Sequence, residues 1–296
     1  MKKLIFVLMA AIALASCQKD DSMELVTKSG KTKLGLEFTG LSPLGSDFRY
    51  EGWLIINGAP VSTGKFNITP SGQMSPRVFN VKDNDVEMAT TFVLTIEPQP
   101  DKDPAPTNIH VLGGDFIGGM ADLKISHAAA LGTDFGSAMG KYILATPTNG
   151  ANNNEKSGIW FLDLTSGSPM AGLVLPTLPA GWIYEGWTVI NGIPVTSGKF
   201  MMPSGVDMFN GFSGTENPGP PFPGEDYLMK APKRLSFPTD ISGGYAVISV
   251  EPYPDNDPAP FAIKPLAAMI PSDAMDHKTY MLGLNPGSFP TGMATK

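Results

Sequence analysis

The sequence predicts an all-β protein of two tandem β-sandwich modules of immunoglobulin-like type. First, the stretch YEGWLIINGAPVSTGKF, Tyr50 to Phe66, returns as YEGWTVINGIPVTSGKF, Tyr184 to Phe200, with twelve of seventeen positions identical. Second, both copies place an Asn-Gly pair between two apolar runs, which is the strongest short-range signal for a β-hairpin. Third, 33 Gly and 28 Pro residues are spread between the apolar segments, as the turns of a β protein require.

The two-residue turn predicts the register of each hairpin. The expected facing pairs are Ile56 with Ala59, Leu54 with Val61 and Trp53 with Ser62, then Ile190 with Ile193, Thr188 with Val195 and Trp187 with Thr196. Alternation puts Trp53 and Leu54 on opposite faces of the strand. Because the second copy keeps Trp at this position but has Thr188 in place of Leu54, we expect the Trp face to point into the main core.

A second repeated block comes after each hairpin. FVLTIEPQPDKDPAP ends at Pro106 and AVISVEPYPDNDPAP ends at Pro260, and each Glu-Pro pair is expected to close an apolar strand. The second copy is longer between hairpin and block, and its extra residues fall in a Gly- and Pro-rich loop from Asn210 to Met229. A repeat that spans strand, hairpin, strand and turn indicates a folding unit, not a short motif.

The N-terminal segment MKKLIFVLMAAIALASC has a basic start, a short apolar run and small residues before Cys17, as a signal peptide has. Its end, LASC, resembles a bacterial lipobox, which implies cleavage before Cys17 and lipid attachment to that residue. Since Cys17 is the single cysteine of the chain, we prefer this interpretation to an ordinary secretory signal. The predicted signal peptide covers residues 1–16, and a tether covers residues 17–30.

The residues after the cysteine predict where the protein resides. CQKDD resembles the surface-export signal of lipoproteins in the Bacteroidota, which implies roles for Lys19, Asp20 and Asp21. We therefore expect a lipid-anchored protein on the outer face of the outer membrane. A periplasm-facing position on the same membrane is the alternative.

Two modules are expected after the tether. The first covers residues 31–117 and the second residues 118–296. The second module is expected to have additional strands in ADLKISH, GKYILATP and SGIWFLDL, and a long tail containing HKTYMLGLNPGSF. The boundary rests on the glycines of GGDFIGGM.

Both copies resemble the extracytoplasmic C-terminal domain of anti-sigma-K factors. The matching residues are Tyr50, Trp53, Pro60, Gly64, Phe66, Glu97 and Pro98, then Tyr184, Trp187, Pro194, Gly198, Phe200, Glu251 and Pro252. The resemblance implies a β-sandwich domain outside the cytoplasm. It does not imply sigma-factor binding, because the sequence has neither the cytoplasmic domain nor the internal transmembrane run of those proteins.

Composition and motifs argue against several function classes. The net charge is -7 without a basic cluster beyond Lys3, so nucleic acid is not an expected partner. SGKT, starting at Ser29, lacks the earlier glycine of a phosphate-binding loop. The three histidines are isolated, and the repeated Glu51/Glu185 and Glu97/Glu251 fit a structural role better than catalysis by paired carboxylates. We expect neither an enzyme nor a bound cofactor.

The acidic turns PDKDPAP and PDNDPAP offer weak calcium candidates, because calcium takes carboxylate oxygens from loops. These candidates are Asp101, Asp103, Asp255 and Asp257. Aspartates next to proline also form simple turns, and no loop motif completes a calcium site, so solvated turns are the preferred interpretation.

The candidate binding residues are aromatic. Trp182 follows a Pro-Ala-Gly turn and is expected to be exposed, while Phe222 and Tyr227 lie in the long loop. We expect a non-catalytic surface module that binds a glycan, a peptide or another outer-membrane protein. The alternative is a regulatory lipoprotein that senses the envelope, as the resemblance to anti-sigma factors implies.

Overall fold

The computed structural model of the chain describes residues 30–76, 78–254 and 257–296. The strands of the first sheet are β1 (Lys31–Thr39), β2 (Phe48–Ile56), β3 (Ala59–Ile68), β4 (Met74–Ser75), β5 (Val78–Lys82), β6 (Thr91–Pro98), β7 (His110–Asp115), β8 (Met120–Lys124) and β20 (Thr291–Thr295). Those of the second sheet are β9 (Met139–Leu144), β10 (Gly158–Trp160), β13 (Leu173–Val174), β14 (Trp182–Ile190), β15 (Ile193–Phe200), β16 (Gly224–Asp226), β17 (Tyr245–Pro252), β18 (Leu266–Met269) and β19 (Tyr280–Leu284). β11 (Leu162–Asp163) pairs with β12 (Met170–Ala171), and the one α-helix of the described residues, α1, is Asp83–Met88. The predicted all-β class is confirmed.

The first sheet has nine strands in the order β4-β3-β2-β6-β7-β8-β20-β1-β5. Every neighbouring pair is antiparallel. The sheet curls until strands from its two ends meet, so that Phe66 of β3 and Phe79 of β5 lie with their ring centroids 5.9 Å apart. The concave side encloses apolar side chains from all around the sheet.

The second sheet has the same plan. Its order is β15-β14-β17-β18-β19-β9-β10-β16, with β13 also paired to β9, and β15 contacts β16 where the sheet curls. Counted from the hairpin, β9 occupies the place that β20 occupies in the first sheet. The apolar residues of both sheets form one contiguous core, so the two units pack directly against each other.

The predicted hairpins are confirmed in both copies. All six expected facing pairs occur, and a β-bulge lies at Gly52/Trp53 in one hairpin and at Gly186/Trp187 in the other. The Asn-Gly turns have positive φ at both residues, 50° and 80° in the first copy and 52° and 78° in the second.

The predicted core face was wrong. Leu54, not Trp53, points into the core, together with Tyr50 on the same strand. Trp53 lies on the opposite face of β2 and is nevertheless only 3% exposed. The reason is that both faces of this strand are covered, so burial alone does not identify the core side.

The first sheet contains strands from both sides of the predicted module boundary at residue 117. β8 and β20 both lie in the predicted second module, yet they pair within the first sheet. β20 is inserted between β1 and β8 and pairs with each over its full length. The last strand of the chain therefore completes the sheet with which the described chain begins.

Candidate functional site

The repeated motif builds a buried hydrogen-bond network on the convex face of the first sheet. Trp53 Nε1 donates to Thr95 Oγ1 at 2.9 Å, and this hydroxyl donates to a carboxylate oxygen of Glu97. Both oxygens of Glu97 also accept the backbone N–H of Thr107, at 3.0 and 3.3 Å. Glu97 thereby ties the Pro-rich turn to the strand that precedes it, which gives the repeated Glu-Pro pair a structural role. We call Trp53, Thr95 and Glu97 the tryptophan network.

The second sheet has the same network. Trp187 Nε1 donates to Ser249 Oγ at 2.8 Å, Ser249 donates to Glu251, and Glu251 accepts the backbone N–H of Phe261 at 3.0 and 3.1 Å. Tyr50 and Tyr184 each donate a hydroxyl to a backbone carbonyl eight residues earlier, at 2.8 and 2.6 Å. The repeated residues thus make repeated contacts that hold the fold.

Carboxylates cluster beside the first tryptophan network. Oxygens of Glu51, Glu97 and Asp101 lie within 4.8 Å of one another, a grouping that could hold a metal ion. Lys65 Nζ lies 2.7 Å from Asp101 and 3.5 Å from Glu51, so the chain itself supplies a positive charge to the cluster. Desolvation raises the pKa of Glu97, whereas the hydrogen bond from Lys65 lowers the pKa of Asp101. The arrangement fits a partly buried ion pair better than a metal site.

The calcium candidates do not come together in the described residues. Asp101 joins the cluster at Lys65, whereas Asp103 is exposed and accepts the backbone N–H of Ala105. Asp257 accepts the backbone N–H of Ala259 in the corresponding turn. Asp255 lies outside the described residues. Asp103 and Asp257 therefore adopt the turn geometry expected of aspartates next to proline.

The expectation that Trp182 is exposed was wrong, and Tyr227, another of the three aromatic binding candidates, is buried as well. Trp182 is 5% exposed because it is the first residue of β14, pairs with Pro252 and lies with its ring 6.0 Å from that of Phe261. Tyr227 is fully buried among Phe212 and Phe237.

The long loop, which carries Phe222, packs back onto the second sheet. Phe222 is half-buried against the apolar cluster around Trp160. The backbone N–H groups of Gly214 and Glu216 donate to Thr148, at 2.8 and 3.0 Å. The loop therefore covers Trp160. The amino-acid composition of the loop did not predict this structural role.

A cleft of about 570 Å³ lies where the two sheets meet. One wall is the segment 42–48, and the other is the Pro-rich turn of the second copy, including Pro252 and Phe261. Phe48 is 37% exposed at this cleft. The lining is mainly apolar, with a few polar groups such as Asp47, which is the usual composition of a ligand pocket.

The interior of the second sheet holds polar groups that the sequence analysis did not single out. Glu225 and Tyr227 are completely buried there, near Thr188 and Asp207. Desolvation raises the pKa of Glu225 to about 8, and the pKa of Asp207 to about 6. The only sequence signal was the difference between Leu54 and Thr188 in two otherwise similar hairpins.

Cys17, Lys19, Asp20 and Asp21 lie outside the described residues. Within the described ranges, no helix has the length and apolar character needed to span a bilayer.

Comparison with known proteins gave one family match. Residues 5–110 match the family described as anti-sigma-K factor rskA, C-terminal. The matched range contains the first hairpin and the first Glu-Pro strand end, and it stops before the second copy. No curated protein and no solved structure matched the chain.

Proposed function

We propose that the chain is a non-catalytic envelope lipoprotein with a sensor role outside the cytoplasm. The observation that supports it is the match of residues 5–110 to the C-terminal domain of anti-sigma-K factors. In that range the repeated motif serves the fold, through contacts such as those of Trp53 and Glu97. Recognition of a partner or ligand is therefore assigned to a surface that does not use Trp53 or Glu97.

The junction cleft is the recognition surface we propose. It combines an apolar lining with a partly exposed aromatic ring, Phe48, and both sheets contribute to it. A ligand in this position would contact both units at once, so its binding would respond to their relative placement. This property suits a sensor.

A second candidate function is an accessory module that binds a glycan, a peptide or an outer-membrane protein without a regulatory role. The cleft supports this candidate equally well, because an apolar pocket with few polar groups does not reveal the purpose of binding. The two functions predict different consequences when the protein is deleted. Loss of a sensor changes transcription of an envelope-stress regulon, whereas loss of an accessory module changes uptake or attachment at unchanged transcription.

Site-specific photo-cross-linking tests the cleft. A photo-reactive amino acid replaces Phe48 in the full chain, expressed in its native envelope, and the same residue replaces Ile117 as a control. Ile117 is 79% exposed and does not line the cleft. We expect a discrete cross-linked species from position 48 and none from position 117. Identical products from both positions would contradict recognition at the cleft.

The proposed anchoring is tested separately. We expect Cys17→Ala to abolish lipid attachment, because the thiol is the acylated group. Changing Lys19, Asp20 and Asp21 to Ala should retain the lipid but protect the protein from protease added to intact cells. Continued digestion of this triple variant at the wild-type rate would contradict the proposal that these residues are a surface-export signal.

A further inference from the structure

The junction cleft is poor in hydrogen-bond donors. Five of its lining residues are prolines, which have no N–H group: Pro43, Pro252, Pro254, Pro258 and Pro260. The N–H groups of Ala259 and Phe261 already donate to carboxylates of their own segment, at 3.0 Å each. The hydroxyl of Ser46 donates to Asp47 at 2.6 Å. Since a carboxylate accepts several hydrogen bonds, the cleft retains acceptors, and a ligand is expected to supply the donors.

The charged residues that line the cleft are acidic. Asp47 and Asp257 are exposed and belong to opposite walls, whereas Glu251 is buried. No Lys, Arg or His among the described residues lines the cleft. Arg49 and Lys264, which lie close to the lining residues in the chain, each donate to a backbone carbonyl oxygen at 2.6 Å. The two walls therefore present negative charge to a ligand.

The second copy of the repeat forms the same turn without an acidic side chain. Asp47 and Gly181 are equivalent, because the backbone carbonyl of each accepts an N–H from the Pro-rich turn of its own copy, at 2.7 and 2.8 Å. Gly181 packs closely against the first unit, where an added Cβ would lie 2.7 Å from the backbone oxygen of Asn108. Trp182 is buried, whereas the equivalent Phe48 is 37% exposed. The fold therefore requires neither the carboxylate nor the exposed ring of the first copy.

We propose that the junction cleft, taken as the recognition surface proposed above, binds an extended peptide with an apolar and a basic side chain. The apolar side chain contacts Phe48, and the Lys or Arg side chain lies beside Asp47 and Asp257. A peptide backbone supplies N–H donors, and the basic side chain supplies further donors and the opposite charge. An anionic lipid headgroup would meet like charge in this cleft, and a neutral glycan would not complement the two carboxylates.

Selection from a library of short random peptides displayed on phage tests the proposal. The full chain in mild detergent is the target. We expect the selected peptides to combine apolar residues with an excess of Lys and Arg over Asp and Glu. A selected pool without this excess, or no selection above the background of a surface without the protein, would overturn the proposal.

Variants then locate the binding of a selected peptide, measured by fluorescence anisotropy. Asp257→Asn should weaken the affinity by about 2- to 5-fold, as the loss of one exposed ion pair implies. Asparagine keeps an oxygen that can accept the N–H of Ala259, so the turn is retained. Asp103→Asn is the matched control, because Asp103 accepts the N–H of Ala105 at 3.0 Å in the corresponding turn and does not line the cleft. An equal affinity loss in both variants, or no loss in Asp257→Asn, would overturn the assignment.

Two further measurements separate the apolar contact from the charge contact. Phe48→Ala should weaken peptide binding by about 10-fold or more, because the ring is the aromatic anchor of the cleft. Added salt should weaken binding to the wild type more than binding to Asp257→Asn, because salt screens an exposed charge pair. Unchanged affinity in Phe48→Ala, or an equal salt effect on both proteins, would contradict the proposed contacts.

The cross-linked species from position 48 distinguishes this proposal from the proposed function. A glycan or a lipid in that species would overturn the peptide as ligand and leave recognition at the cleft standing. Identical products from positions 48 and 117 would contradict both.

Discussion

Replacing Thr95 by Val should destabilise the protein by about 2–4 kcal/mol, as the loss of two buried hydrogen bonds implies. Valine has nearly the same shape, so the change removes one hydroxyl and little else. That hydroxyl accepts the N–H of Trp53 at 2.9 Å and donates to Glu97, and all three residues are buried. The buried indole N–H of Trp53 is left unpaired, which costs about 1–3 kcal/mol, and Glu97 loses one hydrogen bond, worth about 1 kcal/mol, while it keeps the backbone N–H of Thr107.

Urea-induced unfolding, followed by tryptophan fluorescence and circular dichroism, measures this difference. Thr91→Val is the matched control, because Thr91 lies on the same strand and the same face but is only half-buried, with its hydroxyl donating to the exposed Asp115. The control should change the free energy of unfolding by less than about 1 kcal/mol. Combining Thr95→Val with Trp53→Phe should cost less than the sum of the two single changes, because both remove the same hydrogen bond.

The reasoning would be refuted if Thr95→Val and Thr91→Val destabilised the protein equally. It would also fail if Ser249→Ala, the corresponding change in the second sheet, had no effect. In that case, Thr95 and Ser249 would contribute by filling space and not by hydrogen-bonding to Trp and Glu.

Three further predictions concern other contacts. Asp163→Asn should cost about 1.5–3 kcal/mol at neutral pH, because Asp163 lies 2.6 Å from Lys141, whose hydrogen bond holds the pKa of that carboxyl well below its ordinary 3.8. The stability supplied by Asp163 is present above the unfolded-state pKa and is lost as the pH falls through the lower folded-state pKa, so the variant and wild-type curves of unfolding against pH should converge in acid. Gly292→Ala should lower the melting temperature and Gly287→Ala should not, because an added Cβ at Gly292 would lie 2.5 Å from the ring of Phe38, whereas nothing lies within 4 Å at Gly287. Removal of residues 290–296 should increase amide hydrogen exchange in β1 and β8, because both strands pair with β20. Mass spectrometry measures this exchange, and an increase confined to the new terminus would contradict the pairing.

The hairpins could be predicted from the sequence because their information is local. Asn57-Gly58 and Asn191-Gly192 specify a two-residue turn, and the turn specifies the facing pairs between it and the β-bulge of each hairpin. Which face of the strand is the core could not be predicted by the same means. Trp53 and Leu54 are both buried, and only the packing of distant strands decides that Leu54 joins the main core.

The interior of the second sheet was less predictable. Thr188 stands where Leu54 stands in the first copy, but a lone threonine does not reveal that Glu225 and Tyr227 will come to lie beside it. The long loop that carries them was expected to be a binding loop. Its contacts with Thr148 and Trp160 are long-range, and such pairings leave no periodic pattern in the sequence.

The position of β20 brings the two ends of the described chain together. Thr295 faces Gly35, so residue 295 lies beside β1, the first strand of the described residues. β1 pairs with β5 through residues 31–35 and with β20 through residues 35–39. A pull on the N-terminal end therefore loads both ladders of hydrogen bonds along the strand, in shear, and the bonds share the force. Residues 291–295 therefore help to hold the first described strand in place, and a peptide tag fused behind Lys296 would lie close to this pairing.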